Sequence, residues 1–268
     1  MRRTPGGGGK MKVAARLFGL GGRATGKPRA RLRLEPGDTP IYAIGDVHGC
    51  LGELQALERH IEEDARTLPG QKLIVMLGDY VDRGSSSAQV LNHLLAPAPA
   101  GFTRICLAGN HEIAMLDYLE GRISLQSWLA MGAEPTLFSY GIDHSHLRDL
   151  HRNDREVDEA IRDVIPAAHR AFLRSMPILV EADRYVFVHA GIRPGVELAR
   201  QTDHDLVFIR SDFFDQAHLL TRYVVHGHTP VEEAKREGMR VNLDTGAFFS
   251  GTLSGLRIWR GKGRYLTN

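Results

Sequence analysis

The chain has 268 residues, 43% of them hydrophobic and 25% charged, with a net charge of +2, the balance of a globular protein that can bury a core. No stretch approaches the roughly 18 to 20 consecutive apolar residues that a membrane-spanning helix needs, so a membrane span is excluded. The two cysteines, Cys50 and Cys106, are too few for a disulfide scaffold and favour a cytoplasmic setting.

The first 34 residues differ in charge from the rest of the chain. They contain ten Lys and Arg and no acidic residue, whereas the remainder has 24 basic and 32 acidic residues. Because this segment is rich in glycine and poor in apolar side chains, we predict that residues 1–34 form a basic, disordered extension before a folded domain at 35–268. Its role stays open between a solvated extension, contact with nucleic acid or an acidic partner, and a targeting peptide.

The next part of the chain repeats a strand followed by a helix three times. Short apolar runs that are typical of buried strands alternate with apolar residues at helical spacing. This alternation predicts βαβ units and a largely parallel sheet. The predicted strands lie at residues 41–44, 73–77 and 104–107, and the helical patterns that follow them lie at 51–61, 90–95 and 113–119.

The second half of the chain begins with a different pattern. Residues from about 121 to 176 are rich in charge and in helical periodicity, and we interpret them as a helical insertion. Apolar strands then return at 178–180, 185–188, 223–225 and 241–243, with a final pair around 252–259. We expect these strands to form a second sheet, which makes the fold class α/β, a sandwich of two sheets flanked by helices.

Polar motifs follow the predicted strands at five places. In open α/β sheets ligands bind beyond the carboxyl ends of the strands, so these distant segments are expected to converge on one site. Their glycines allow tight turns where side chains crowd together. The motifs are GDVHG at 45–49, GDYVDRG at 78–84, GNHE at 109–112, HAG at 189–191 and HGHT at 226–229.

The donor atoms in these motifs are oxygen and imidazole nitrogen without thiolate. This mixture suits manganese, iron or zinc in an open site rather than a closed structural zinc site. A pair of such ions polarises a phosphoryl oxygen and lowers the pKa of a water between them, which is the chemistry of phosphate ester hydrolysis. The proposed ligands are Asp46 and His48 for one ion, a bridging Asp79, and Asn110, His189 and His228 for the other.

The five motifs, in this order, resemble those of the phosphoprotein phosphatase family of metal-dependent serine/threonine phosphatases, within the calcineurin-like metallophosphoesterases. The resemblance runs from about residue 41 to 258, and it is nearest to the bacterial and phage members, which have a counterpart of Asp244-Thr245-Gly246-Ala247. It implies the calcineurin-like metallophosphoesterase fold and a catalytic domain over 35–268. It also implies two divalent ions, Mn²⁺ with Fe or Zn as alternatives, and a phosphoprotein or phosphopeptide substrate.

The resemblance also implies a role for each site residue. A hydroxide that bridges the two ions would attack phosphorus directly, and His111, oriented by Asp82, would donate a proton to the leaving group. Arg83, Arg210 and Asn110 would bind the phosphate, with an ion-pair role as the alternative for each arginine. By similarity, Asp46, His48 and Asp79 hold the first ion, and Asp79, Asn110, His189 and His228 hold the second.

Two other functions stay open. The segment HAGIRP at 189–194 also resembles the symmetrical diadenosine tetraphosphate hydrolases. Those enzymes typically have Ala at the position of Asp82 and Asp at the position of Glu112, so Asp82 favours the phosphatase interpretation. The other alternative is a nucleic-acid-binding protein that uses residues 1–34 and keeps its metals for structure alone.

Overall fold

The structure is a computed structural model that describes residues 12–16, 28–151 and 153–268. The strands in these ranges are β1 (Lys12–Arg16), β2 (Arg31–Glu35), β3 (Ile41–Ile44), β4 (Lys72–Met76), β5 (Phe102–Cys106), β6 (Leu179–Ala182), β7 (Tyr185–Val188), β8 (Tyr223–His226), β9 (Lys235–Glu237), β10 (Arg240–Asn242), β11 (Ser254–Trp259) and β12 (Lys262–Thr267).

The α-helices in the same ranges are α1 (Leu51–Ala65), α2 (Ser87–Leu95), α3 (Asn110–Leu119), α4 (Leu125–Leu129), α5 (Glu134–Ser139), α6 (His144–Leu150), α7 (Asp154–Val164), α8 (Ala167–Ser175), α9 (Asp203–Phe208), α10 (Ser211–Asp215) and α11 (Ala247–Ser250). Two 3₁₀ turns lie at Leu198–Arg200 and Ala217–Leu219. None of the helices described here is long and apolar enough to cross a bilayer.

The described strands form one sheet of five and one of seven. The smaller sheet has the order β12-β11-β3-β4-β5, in which β3, β4 and β5 are parallel and β11 and β12 are antiparallel to their neighbours. The larger sheet has the order β1-β2-β6-β7-β8-β10-β9 and is also mixed. The predicted α/β sandwich of two sheets flanked by helices is therefore confirmed.

Side chains of β3 point alternately to the helices and to the other sheet, which explains how the layers pack. Tyr42 and Ile44 lie in the cluster shared with the helices, whereas Ile41 and Ala43 lie in the cluster shared with the other sheet. All four residues are at most 3% exposed, because successive side chains of a strand point to opposite faces and both faces are covered here. A third cluster packs α9 and α10 on the outer face of the larger sheet.

The final pair of strands belongs to the first sheet, contrary to our expectation that the strands of the second half form a separate sheet. Residues 41–44 of β3 pair with residues 255–258 of β11, and β12 follows as the edge strand. After β10 the chain returns across the carboxyl ends of both sheets. β11 then covers the edge of β3, which would otherwise expose its backbone N–H and C=O groups.

The predicted boundary of the extension at residue 34 is wrong, because β2 is part of the larger sheet and pairs in parallel with β6. Leu34 is buried, and the Arg31 guanidinium lies 2.9 Å from the Asp203 carboxylate. The backbone of β1 pairs antiparallel with β2. The rest of the predicted disordered extension, residues 1–11 and 17–27, lies outside the described residues.

Candidate active site

The carboxyl ends of the parallel strands bring the predicted site residues together. Each of these residues lies in the loop or helix start directly after a strand, as the sheet topology requires. They are Asp46 and His48 after β3, Asp79, Asp82 and Arg83 after β4, Asn110 and His111 after β5, His189 after β7, and His228 after β8.

Asp79 lies at the centre of the site. Its Oδ2 atom is 3.5 Å from His48 Nε2 on one side and 3.4 Å from His189 Nε2 on the other. His111 Nε2 lies 3.9 Å from the same oxygen. Asp79 therefore belongs to two groups of donor atoms that each have the spacing of a metal site, one with His48 and His111 and one with His189 and His228. This is the position that the sequence predicts for a bridging ligand.

Asn110 and His228 complete the second group. His189 Nε2 lies 2.9 Å from Asn110 Oδ1 and 3.2 Å from His228 Nδ1. All three side chains are buried. Oxygen and imidazole donors that converge without a thiolate suit an open site for a divalent cation.

Asp46 connects the two sheets across the site. Its Oδ2 accepts a hydrogen bond from the backbone N–H of His228 at 2.9 Å. Its Oδ1 is buried and has no hydrogen-bond partner among the described residues, and the same holds for His228 Nε2. A buried carboxylate oxygen without a donor is costly, and a cation would satisfy it. The described residues thus fit a divalent metal.

Backbone carbonyls set the tautomers of two of the histidines. His48 Nδ1 lies 2.9 Å from the Val81 carbonyl oxygen, and His189 Nδ1 lies 3.0 Å from that of Leu77. A carbonyl oxygen only accepts, so in each case Nδ1 carries a proton and Nε2 is the ring nitrogen that faces Asp79. Metal-ligating histidines are commonly oriented in this way.

The electrostatics keep two of the imidazoles neutral. Burial lowers the pKa of His48 to about 3 and that of His228 to about 2. Burial, reinforced by Asp244 and Asp79, raises the pKa of Asp46 well above its ordinary value. For Asp79 burial acts in the same direction but is outweighed by His189 and His111, which hold the pKa of this carboxyl well below its ordinary value. Neutral imidazoles beside a charged carboxylate are ready to bind a cation.

Unusual backbone conformations are concentrated at the site. Seven non-glycine residues in the described part of the chain have positive φ, and five of them are predicted site residues. Such conformations are costly and persist where the surrounding structure requires them. The five are His48 (43°), Asp79 (52°), Asp82 (70°), Arg83 (68°) and His228 (69°).

His111 and Asp82 form a buried pair. His111 Nδ1 lies 2.7 Å from Asp82 Oδ2, and neither side chain is more than 1% exposed. Asp82 also accepts hydrogen bonds from Trp128 Nε1 at 3.1 Å and from Thr136 Oγ1 at 2.8 Å. Burial lowers the pKa of His111, but Asp79 and Asp82 outweigh it and raise the pKa above its ordinary value. The protonated imidazole is favoured, and its Nε2 faces Asp79 and the other proposed metal ligands, which we call the metal cluster.

Arg83 and Arg210 lie at opposite sides of the site. Arg83 Nη1 is 3.1 Å from His48 Nε2, whereas exposed Arg210 contacts Thr229 Oγ1 at 3.3 Å, next to His228. No carboxylate forms an ion pair with either arginine among the described residues. Each guanidinium group therefore keeps a positive charge that no carboxylate of the described residues pairs with, next to a proposed metal ligand.

Glu112 was not predicted as a site residue, but it holds the loop after β4 in place. Its carboxylate accepts backbone N–H groups from Asp79 and Tyr80 at 2.7 Å each and from Gly109 at 2.9 Å. Burial raises its pKa to about 7. The available signal was its position at the third residue of α3, where an acidic side chain commonly caps the helix start.

Asp244 is a further carboxylate that the sequence analysis did not place in the site. It is 2% exposed, and burial raises its pKa to about 6. Its Oδ1 accepts the backbone N–H of Gly246 at 2.9 Å, which fixes the turn before α11. The segment 244–247 was a recognisable signal, but nothing in the sequence shows that it returns to the site.

Comparison with known proteins gives the family of this chain. Residues 39–242 match the calcineurin-like phosphoesterase family. The chain belongs to this family. The match includes all five motifs that contain the proposed site residues. Membership shows that the chain is a phosphoesterase; it does not distinguish the protein phosphatases from the other members.

Named relatives differ in activity. A relative from Bacillus cereus, named bis(5'-nucleosyl)-tetraphosphatase PrpE [asymmetrical], is 28% identical over 233 residues, which are 80% of this chain and 88% of the relative. A solved structure described as a putative diadenosine tetraphosphatase matches with a TM-score of 0.61 at 18% identity, over 88% of this chain and 96% of the other. A serine/threonine phosphatase from Saccharomyces cerevisiae matches with a TM-score of 0.56 at 14% identity, over 87% and 81%. The two structures support the fold alone.

Proposed function

We propose that this protein is a divalent-metal-dependent hydrolase of dinucleoside tetraphosphates. Water would cleave an outer phosphoanhydride bond and give one nucleoside monophosphate and one nucleoside triphosphate. The observation that carries this choice is the 28% identity, over 88% of its length, to a relative named for asymmetrical cleavage of this substrate class. The choice revises our sequence-based preference for a protein phosphatase.

The metal ligands would be the residues around Asp79. We assign Asp46, His48 and Asp79 to one cation, and Asp79, Asn110, His189 and His228 to the other. When bound, the two cations supply positive charge for the phosphoryl oxygens and make a water nucleophilic near neutral pH. The identity of the metal stays a prediction, with Mn²⁺ first and Fe or Zn as alternatives.

His111 would donate a proton to the leaving group. Asp82 accepts the Nδ1 proton at 2.7 Å, so the second proton of the imidazolium lies on Nε2, the atom that faces the cluster. Trp128 and Thr136 fix Asp82 in turn, so the imidazole cannot rotate without breaking buried hydrogen bonds. The leaving oxygen would receive the proton from this Nε2 atom.

Arg83 and Arg210 would bind the polyphosphate from its two sides. A dinucleoside tetraphosphate carries several negative charges along its phosphate chain. Two guanidinium groups on opposite sides of the cluster suit such an extended anion, and each can form paired hydrogen bonds to phosphate oxygens. Asn110, next to the second cation, would offer its amide to the reacting phosphate.

A serine/threonine protein phosphatase is the second candidate, and the Asp82–His111 pair favours it. A serine alkoxide is a poor leaving group and needs a proton in the transition state, whereas a nucleotide leaves as a stable anion. A buried acid with a raised pKa is therefore most valuable in the hydrolysis of alkyl phosphates. The site would then accept a phosphoprotein or phosphopeptide.

A side-by-side assay separates the two candidates. The purified protein loaded with Mn²⁺ is given diadenosine tetraphosphate and a phosphoserine peptide, and products are resolved by anion-exchange chromatography. We expect kcat/KM for the dinucleotide to exceed that for the peptide at least about tenfold, with AMP and ATP as products. A larger kcat/KM for the peptide would overturn the proposal in favour of the phosphatase.

A matched variant ensures that the measured activity belongs to this site. His111→Asn removes the proton donor but keeps a polar side chain of similar volume. We expect a loss of about 10²- to 10⁴-fold in peptide hydrolysis, and a smaller loss with the dinucleotide, which leaves more easily. Unchanged rates with both substrates would contradict the role of His111 as the proton donor.

A further inference from the structure

Two consecutive phenylalanines lie exposed beside the metal cluster. Phe248 is 37% exposed and Phe249 is 65% exposed, although both are large apolar side chains. Their rings are perpendicular, with centroids 4.9 Å apart. The Phe248 ring also meets the His48 ring edge to face at 5.4 Å. An exposed apolar aromatic surface directly beside a polar site for anions suits a ligand that has both an aromatic group and a negative charge.

The turn that carries the two rings is held in one conformation by its glycines, its buried alanine and a hydrogen bond. Helix α11 is a single turn between Gly246 and Gly251, which both adopt left-handed conformations with φ of 64° and 70°. Ala247 is 3% exposed and anchors the turn in the core, and Ser250 Oγ donates to the Thr245 carbonyl at 2.7 Å. The exposed rings are thus presented on a fixed support.

Gly246 makes room for the Phe249 ring. A Cβ atom at position 246 would collide with the distal ring carbons of Phe249. The ring therefore packs against the glycine and is held there while most of its surface stays open to solvent. A ring held in this way loses little conformational entropy when a planar ligand stacks on it.

A cation lies next to the same aromatic surface. The Arg83 guanidinium carbon is 5.1 Å from the centroid of the Phe248 ring, and its Nη1 is 3.1 Å from His48 Nε2. A positive charge that can bind phosphate therefore adjoins both the metal cluster and the rings. A nucleotide has the matching arrangement, because its ribose joins an anionic phosphate to a flat aromatic base.

We infer that Phe248 and Phe249 form a stacking platform for one nucleobase of the substrate, on the His48 and Arg83 side of the metal cluster. The inference rests on the proposed nucleotide substrate and names the residues that recognise its base. Stacking on aromatic side chains tolerates any base. The platform therefore selects for the presence of a nucleobase rather than for adenine over the other bases.

Binding measurements test the platform without reference to turnover. Calorimetry with the Mn²⁺-loaded protein compares ADP with inorganic pyrophosphate, which shares the phosphoanhydride but has no base. We expect ADP to bind about tenfold or more tightly than pyrophosphate, and Phe249→Leu to remove most of this preference. Phe249→Trp keeps an aromatic face and should retain it. Pyrophosphate affinity should change less than about twofold in both variants, since pyrophosphate has no base to stack on the altered side chain.

Tyr265→Leu is the matched control, because Tyr265 is 42% exposed on β12 in the outer part of the five-stranded sheet. It should leave the ADP preference intact. Equal affinities of the wild-type protein for ADP and pyrophosphate would overturn the platform, as would an ADP preference that survives Phe249→Leu. If the base preference is present but diadenosine tetraphosphate is not cleaved, the proposed function fails and the platform stands.

Discussion

Two glycines determine how closely the proposed metal ligands can approach the neighbouring backbone. A Cβ atom at Gly227, between the two histidines of the HGHT motif, would collide with Asp46 Oδ1, the carboxylate oxygen that lacks a hydrogen-bond partner among the described residues. A Cβ atom at Gly109 would likewise collide with Asp79 Oδ1. At these positions glycine is needed for space, because its neighbours are the proposed metal ligands themselves.

Gly227→Ala should therefore displace the Asp46 carboxylate. The backbone at 227 does not need positive φ, so the substitution acts through the collision rather than through backbone strain. We expect bound Mn²⁺ to fall well below the wild-type stoichiometry and kcat/KM to fall at least about 10²-fold, since a displacement of about 1 Å has this effect at an active site. Metal analysis after desalting, together with the hydrolysis assay, measures both.

The matched control is Gly52→Ala in the first turn of α1. A Cβ atom there has no neighbour within 4 Å. Alanine in a helix is favoured over glycine by about 0.5–1 kcal/mol, so the control should keep its metal and activity and be slightly more stable. Full metal content in Gly227→Ala would show that Asp46 is not a ligand or that the site can expand.

The helices between α3 and β6 hold the site in place from one side. Trp128 of α4 and Thr136 of α5 supply the hydrogen bonds that fix Asp82. A chain of hydrogen bonds through buried His169 joins these helices to their neighbours: the Tyr140 hydroxyl lies 2.6 Å from His169 Nδ1, and His169 Nε2 lies 2.9 Å from Asn92 Oδ1. The chain is fully satisfied when His169 is neutral, with the Tyr140 hydroxyl and His169 Nε2 as donors.

Stability should therefore depend on pH through His169. Burial lowers its pKa below the ordinary value near 6.5, so the unfolded chain takes up the proton first as pH falls. The contribution of neutral His169 is complete above about pH 6.5 and decreases as pH falls from there toward the folded-state pKa. In His169→Gln this dependence is absent, so the stability gap to the wild type, about 1 kcal/mol at pH 7.5, should narrow at pH 5.5.

Urea unfolding at pH 5.5, 6.5 and 7.5 measures the gap. His146→Gln serves as the control, because His146 is exposed and its side chain takes no part in this chain of hydrogen bonds. Its gap to the wild type should stay within about 0.5 kcal/mol at every pH. If the difference in unfolding free energy between the wild type and His169→Gln increased toward low pH, His169 would not be neutral in the folded protein.

The basic residues before the first motif are joined to the larger sheet's outer layer over long sequence separations. Arg31 of β2 is 8% exposed and donates to the Asp203 side chain and to the Gln201 carbonyl, while Asp203 Oδ2 accepts the backbone N–H of Arg29. These bonds connect residues about 170 positions apart, between β2 and the start of α9. The basic residues nearest the domain therefore have a structural role within it.

Asp203→Asn should destabilise the whole domain. The substitution keeps the size of the side chain but leaves the buried Arg31 guanidinium without its counterion. We expect a loss of about 1–3 kcal/mol in the free energy of unfolding, because a buried charge loses its partner. Thermal and urea unfolding measure this loss.

Asp212→Asn provides the comparison, since Asp212 is 52% exposed and pairs with exposed Arg193 at the surface. A pair of this kind contributes about 0–1 kcal/mol, so the control should change stability little. Equal effects of the two substitutions would show that the Arg31–Asp203 pair contributes no more than an ordinary surface ion pair.

Apolar periodicity and the motifs at the strand ends predicted most of the local elements and the types of donor atom in the site. β3 and β7 begin and end where the pattern predicted, and the helices α1, α2 and α3 follow their strands as expected, because apolar periodicity and burial agree there. The proposed ligands could be recognised in the sequence because they share a position relative to the strands. Each follows a strand end in a glycine-containing motif, and the parallel order of β3, β4 and β5 brings those ends to one edge.

Which distant segments contact each other is visible only in the folded chain. β2 has charged residues at alternate positions and resembles a solvated tail until β6 and Asp203 cover it. Contacts between segments remote in sequence also account for three other features. They are the return of β11 to the first sheet, the four backbone hydrogen bonds that Glu112 accepts, and the contact of Phe248 with His48. Local propensity contains no information about such partners, because the favourable free energy arises only when the two surfaces come together.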